Sequence, residues 1–207
     1  MFRRFLLGIM VVSLASLAWA NVPDPDNSTA VTASPGAAMT VLPNAGGMAF
    51  TQARLGGAVV DATITLTLLD ELMNPVFGYP FDDIWLESSA GGLVYCTRGT
   101  TPDGSSDING VTTWTTPLAA GGCTDGEDIV VMVAGTQLTA TIDLTFISAD
   151  FTSNLIVNTL DVPPFSALFF SGSYEICADM DLNGVVNTLD VPIMAAAVFG
   201  GVECIGK

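Results

Sequence analysis

Two stretches near the C-terminus spell nearly the same text 29 residues apart. Asp150-Phe-Thr-Ser-Asn-Leu-Ile-Val-Asn-Thr-Leu-Asp161 aligns with Asp179-Met-Asp-Leu-Asn-Gly-Val-Val-Asn-Thr-Leu-Asp190, and Val-Asn-Thr-Leu-Asp-Val-Pro occurs in both. A repeat this close means two copies of one structural unit packed together, since a single copy buries too little surface to fold alone.

The second copy places oxygen-bearing groups at alternate positions of a twelve-residue loop. Asp179, Asp181 and Asn183 stand at positions 1, 3 and 5, the Val185 carbonyl at 7, Asn187 at 9 and Asp190 at 12. Gly184 occupies position 6, where the chain must turn sharply. Hard oxygens converging from alternate residues are what calcium requires. The first copy offers Asp150, Thr152, Asn154, the Ile156 carbonyl, Asn158 and Asp161, with Leu155 in place of the glycine. With one carboxylate fewer and a side chain at the turn, it is expected to be a weaker calcium site or none.

A short helix is expected after each loop. Asp190 and Pro192 open the segment Ile193 to Phe199, which stops at Gly200-Gly201, and Asp161, Pro163 and Pro164 open Phe165 to Phe170. Asp at a helix start suits capping, and Pro suits the first turn. Such helices are expected to bury apolar faces against each other, making residues 149–207 one small unit. This pattern resembles dockerin domains, which pair two EF-hand-like calcium repeats and carry Asp at position 12. The resemblance covers residues 150–204 and implies docking to a cohesin-like protein partner. The residue pairs it assigns to that contact are Thr159 with Leu160 and Thr188 with Leu189; burial of both leucines at the helix starts is the other reading of them.

Residues 21–148 read as strands. From Ala62 to Leu68, Ile64, Leu66 and Leu68 alternate with threonines, and Leu138, Ala140, Ile142, Leu144 and Phe146 alternate with polar residues. This period of two marks half-buried strands. Gly135-Thr136 joins the second run to Ile129 to Val133 as a long hairpin. Shorter candidates are Ile84 to Leu86, Leu93 to Cys96 and Val111 to Thr115, separated by turn dipeptides such as Asn109-Gly110. The expected fold is mostly β: an antiparallel β-sandwich followed by a small α-helical calcium-loop pair. The segments Asp70 to Gly78 and Asp107 to Thr112 resemble the bacterial Ig-like domains of invasin-type surface proteins, which implies turns at these segments and a spacer or adhesive role.

Arg3 and Arg4, the apolar run Phe5 to Leu17 and Ala18-Trp19-Ala20 have the form of a signal peptide, residues 1–20, placing the mature protein outside the cell or on its surface. At about 13 residues the run is too short to span a bilayer. Its removal takes two of five basic residues and none of 21 acidic ones, moving the net charge from −16 to −18. Nucleic acid is excluded as a partner, because phosphate neutralisation needs Lys and Arg.

Four cysteines in an exported chain suggest two disulfides, for which three pairings exist. The expected pairs are Cys96 with Cys123 and Cys177 with Cys204, each local to its own part. No histidine occurs, which removes the usual general base and zinc ligand and points away from catalysis. The two classes left are an anchoring protein that docks a partner and a structural or adhesive subunit in which calcium stabilises the fold and copies self-associate. Trp85 and Trp114 could line a ligand groove, with a place in the core or on a half-buried face as the other reading; a carbohydrate-binding module in residues 21–148 is a minor alternative. Asp82-Asp83, Asp103 with Asp107, and Asp125, Glu127 and Asp128 are lesser candidates for ion binding.

Overall fold

The computed structural model describes residues 22–204; the proposed leader lies outside them. Twelve short strands precede two helices, and the architecture is mostly β. The strands are β1 (Thr29–Thr32), β2 (Ala37–Thr40), β3 (Ala53–Leu55), β4 (Ala58–Val60), β5 (Ile64–Thr67), β6 (Ile84–Ser88), β7 (Leu93–Tyr95), β8 (Val111–Trp114), β9 (Ala120–Gly122), β10 (Ile129–Val133), β11 (Thr136–Ile142) and β12 (Leu144–Ile147). They form four small sheets, ordered β1-β5-β8, β11-β10-β6, β12-β2-β3-β4 and β7-β9.

The alternation seen in sequence decides which side chains face inward. Ile64, Leu66, Ile84, Leu86, Ile129, Val131, Leu138, Ile142, Leu144 and Phe146 are all buried in one apolar core, with Phe50 set edge-on to Phe146 at 6.2 Å between ring centroids. Burial of each such side chain contributes roughly 1.5–3 kcal/mol, which offsets the ordering of strands too short to persist alone.

The run from Leu138 to Phe146 keeps its period of two but does not remain one hairpin arm. β11 pairs antiparallel with β10, whereas after Asp143 the chain continues as β12 and pairs in parallel with β2. The expected antiparallel sandwich carries a parallel pairing at that point. Side-chain alternation records which face is buried and carries no mark of the neighbouring strand.

The expected disulfides are also corrected: Cys96 bonds Cys204, and Cys123 bonds Cys177. The β7–β9 ladder explains why. Leu93 pairs with Gly122 and Tyr95 with Ala120, so Cys96 and Cys123 stand beyond opposite ends of one short antiparallel ladder. Neither reaches the other, and each faces a different part of the C-terminal unit. The bonds span 108 and 54 residues and cross the boundary between the two parts of the chain.

The helices are α1 (Val162–Phe169) and α2 (Asp190–Gly200). Phe165, Met194, Ala197, Val157, Met180 and Val202 form their small core, against which Leu42 of the sandwich packs. Leu182, in the second repeat, is buried with Ala38 and Ile147 of the sandwich, and the Thr40 hydroxyl lies 3.5 Å from the Met180 carbonyl. The repeats are thus seated on the sheets as well as tied to them.

Candidate metal centre

Each loop is folded by its own aspartates. In the second, the backbone N–H groups of Asn183 and Gly184 donate to Asp179 at 3.1 and 2.8 Å, and those of Asp181 and Asn187 donate to Asp190 at 3.2 and 2.7 Å. In the first, Asn154 and Leu155 donate to Asp150 at 3.1 and 2.7 Å, while Thr152 and Asn158 donate to Asp161, both at 2.8 Å. Asn187 and Asn158 repeat the correspondence: each donates its side-chain amide to the carbonyl at position 7 and accepts from the N–H at position 11. Asp150, Asp161, Asp179 and Asp190 are fully buried. The expected cap by Asp190 is corrected, since Asp190 lies inside α2; Asp161 stands at the N-cap position of α1 as expected but makes no side-chain cap bond, and both carboxylates turn back into their loops.

The loops differ at position 3. The Thr152 hydroxyl donates to Asp161 Oδ1 at 2.8 Å, so a neutral donor links the two carboxylate ends of the first loop. Asp181 in the second loop is an acceptor only. One oxygen from each of Asp179, Asp181 and Asp190 lies within 4.8 Å of the others, the one such acidic group among the described residues. Burial raises the Asp181 carboxyl above its usual range, and the charges of Asp190 and Asp179 add to that. Converging carboxylate oxygens are the donor type that a hard divalent ion takes.

No family model matches the sequence. No curated protein matches it either. Among solved structures, the chain is similar to the filamin domain of Lin-41, at 16% identity and a TM-score of 0.30, over 59% of this chain and 95% of that one. It is also similar to FdeC, an adhesin of Escherichia coli, at 20% identity and a TM-score of 0.31, over 61% of this chain and 32% of the adhesin. The match thus spans about a third of the adhesin's length. At these scores the fold rests on the strand ladders above, and the dockerin and Ig-like resemblances rest on the residues that carry them.

Of the contact pairs singled out in sequence, Leu160 and Leu189 are 64% and 60% exposed, which removes the reading that buries them at the helix starts. Thr159 lines an apolar groove of about 300 Å³ between the helices, together with Phe165, Phe169, Val191 and Met194. The helices share a buried core yet leave this cleft between them, flanked by Phe170 and Phe199 at 79% and 87% exposure.

Trp114 is buried, with its indole N–H on the Thr100 carbonyl, and offers no ligand face. Trp85 donates to Glu87, which also accepts from the Tyr95 hydroxyl; burial and that contact push the Tyr95 phenol up to about 12. The lesser acidic candidates hold loops together. Asp82 pairs with Arg98 at 2.9 Å, Asp103 accepts from Thr115 and Thr116, Asp107 closes its own turn, and Glu127 accepts from Gly92.

Two contributors carried no signal in sequence. Gly121 in β9 lets the Asp150 carboxylate approach its backbone, where any added Cβ would collide. Tyr174 lies outside either twelve-residue pattern, yet its hydroxyl donates to Asp179 Oδ2 at 2.9 Å. Burial, with the Asp179 contact, pushes this phenol up to about 12.

Proposed function

We propose that the chain is an exported, non-catalytic structural or adhesive protein whose C-terminal repeat unit binds one calcium ion in the loop from Asp179 to Asp190. The observation that carries this reading is the convergence of Asp179, Asp181 and Asp190 in a loop whose twin replaces the middle carboxylate with a threonine. Asp179, Asp181, Asn183, the Val185 carbonyl, Asn187 and Asp190 would hold the ion, which neutralises clustered charge and so stabilises the fold.

Two disulfides support an oxidising, extracellular or cell-surface location. They also suit a load-bearing role, because they make the repeat unit a braced end of the sandwich instead of a module on a free linker. A second reading, docking of a cohesin-like protein partner, is favoured by the exposure of Leu160 and Leu189 beside the groove.

Sedimentation of the mature, oxidised chain in calcium and in chelator separates the two. Calcium-dependent self-association supports the structural reading. A monomer that captures one protein, with capture lost in Leu160→Asp/Leu189→Asp, supports docking.

A further inference from the structure

The Asp179 carboxylate has three hydrogen-bond donors, and only two belong to its own loop. Asn183 N–H reaches Oδ1 at 3.1 Å, Gly184 N–H reaches Oδ2 at 2.8 Å, and the third donor is the Tyr174 hydroxyl, on Oδ2 at 2.9 Å. The first loop has no counterpart. Thr145, which stands 29 residues before Tyr174, belongs to β12, and the hydroxyl beside the Asp150 carboxylate is that of Thr152 inside the loop.

The approach of this phenol is fixed from both sides along the chain. Before it, the Ser171 hydroxyl bonds Ser173, and the Ser173 hydroxyl donates to Glu175. After it, Ile176–Ala178 forms a 3-10 turn in which Ala178 N–H donates to the Glu175 carbonyl and Asp179 N–H to the Ile176 carbonyl. Cys177, within that turn, is bonded to Cys123 of the sandwich. Tyr174, Ile176 and Leu182 also line one small cavity with Arg54 and Gly57 from the β3–β4 hairpin. A side chain outside the loop is thus held against the sandwich and aimed at the loop's first ligand.

We propose that Tyr174 is a positioning residue for calcium, holding the Asp179 carboxylate in its ligating orientation and making the braced 171–178 connection part of the site. This rests on the reading of residues 179–190 as the calcium loop. A carboxylate with a free torsion must be ordered when the ion arrives; one already held by hydrogen bonds has met that cost on folding. Partners of this kind around metal ligands change affinity by about 10- to 100-fold when removed. Because Tyr174 is 53% exposed, water replaces part of what the hydroxyl supplies, and the lower end of that range is expected.

The test is calcium titration by calorimetry of the mature, oxidised chain and of Tyr174→Phe, which keeps the ring and removes only the hydroxyl. Kd is expected to rise about tenfold, while the calcium-free variant melts within about 2 °C of wild type. The wild-type tyrosine circular dichroism should change with the same midpoint as the heat, and Tyr174→Phe should lose that change. An unchanged Kd in the variant, or a lowered calcium-free melt with no change in Kd, overturns the role given to Tyr174. Wild-type protein that takes up no calcium overturns the site itself and this role with it.

Discussion

The two repeat loops share a backbone and differ in how they balance charge. Each turns through left-handed residues at positions 4 and 6: Ser153 and Leu155 in the first, with φ of +54° and +64°, and Leu182 and Gly184 in the second, with φ of +55° and +90°. The first accepts the strain of a leucine at position 6 and closes its ring of donors with the Thr152 hydroxyl. The second relieves that strain with glycine and gathers three carboxylates that repel one another. One loop is complete as a polypeptide; the other, on the function proposed above, would be completed by a cation. Two exchanges separate the loops in charge and strain: hydroxyl for carboxylate at position 3 and leucine for glycine at position 6.

Exchanging the residues at position 3 should have the largest effect. Asp181→Thr should cost about two orders of magnitude or more in calcium affinity and raise the calcium-free melting temperature. Thr152→Asp should lower the calcium-free melting temperature and add a second ion to the stoichiometry. Calorimetry and melts in chelator check both variants. If Thr152→Asp gains no ion, position 3 is not what distinguishes the loops.

A smaller effect is expected from Asp161→Ala. Its loss leaves the Thr152 hydroxyl and the N–H groups of Thr152 and Asn158 without their acceptor, which should destabilise the protein by about 3 kcal/mol in denaturant unfolding. Calcium affinity should stay within about threefold of wild type, since the second loop keeps all its ligands.

The pH response sharpens the contrast most gently. In chelator, Asp150 and Asp181 are raised above the ordinary aspartate value of 3.8, each by burial first, with neighbouring carboxylate charge adding to it. A carboxyl raised in the folded state binds its proton more readily there than in the unfolded chain. Stability therefore increases as pH falls through the raised folded values towards 3.8, and decreases as pH rises through the same window. Asp61 and Asp107 are lowered, by hydrogen bonds from Thr63 and from the Val111 and Asn109 N–H groups respectively. Their contribution is present above 3.8 and is lost only as pH falls further, through their folded values. Calcium-free melts should accordingly rise on mild acidification and then fall. With calcium saturating at neutral pH, acidification should lower the melting temperature throughout, because protons displace the metal.

The loops, the helices and the inward-facing strand residues were legible because each obeys a local period or spacing. Ile64, Leu66, Ile142 and Leu144 declare a buried face by alternation alone, and Asp179 to Asp190 declares a ring of oxygens by spacing alone. Strands β1 to β4 and β9 were not legible. They are three or four residues long, and several are built largely from alanine and glycine, as in Ala37–Thr40 and Ala120–Gly122, so their pairing depends on partners distant in sequence. The disulfides were hidden for the same reason. Their pairing follows from the β7–β9 register, which sets Cys96 and Cys123 apart. Tyr174 belongs with these: its contact with Asp179 is made by the path of the connection after α1, and no motif spacing encodes it.

On the proposed function, one loop is completed by an ion and its twin by a hydroxyl. Calcium titration of the mature, oxidised chain by calorimetry, with paired melts in calcium and chelator and an Asp179→Ala/Asp190→Ala control, tests it most directly. One ion per chain, lost in the control and accompanied by a higher melting temperature in calcium, is the predicted result. Coincident melts with no heat of binding, or two ions of equal affinity, would contradict it.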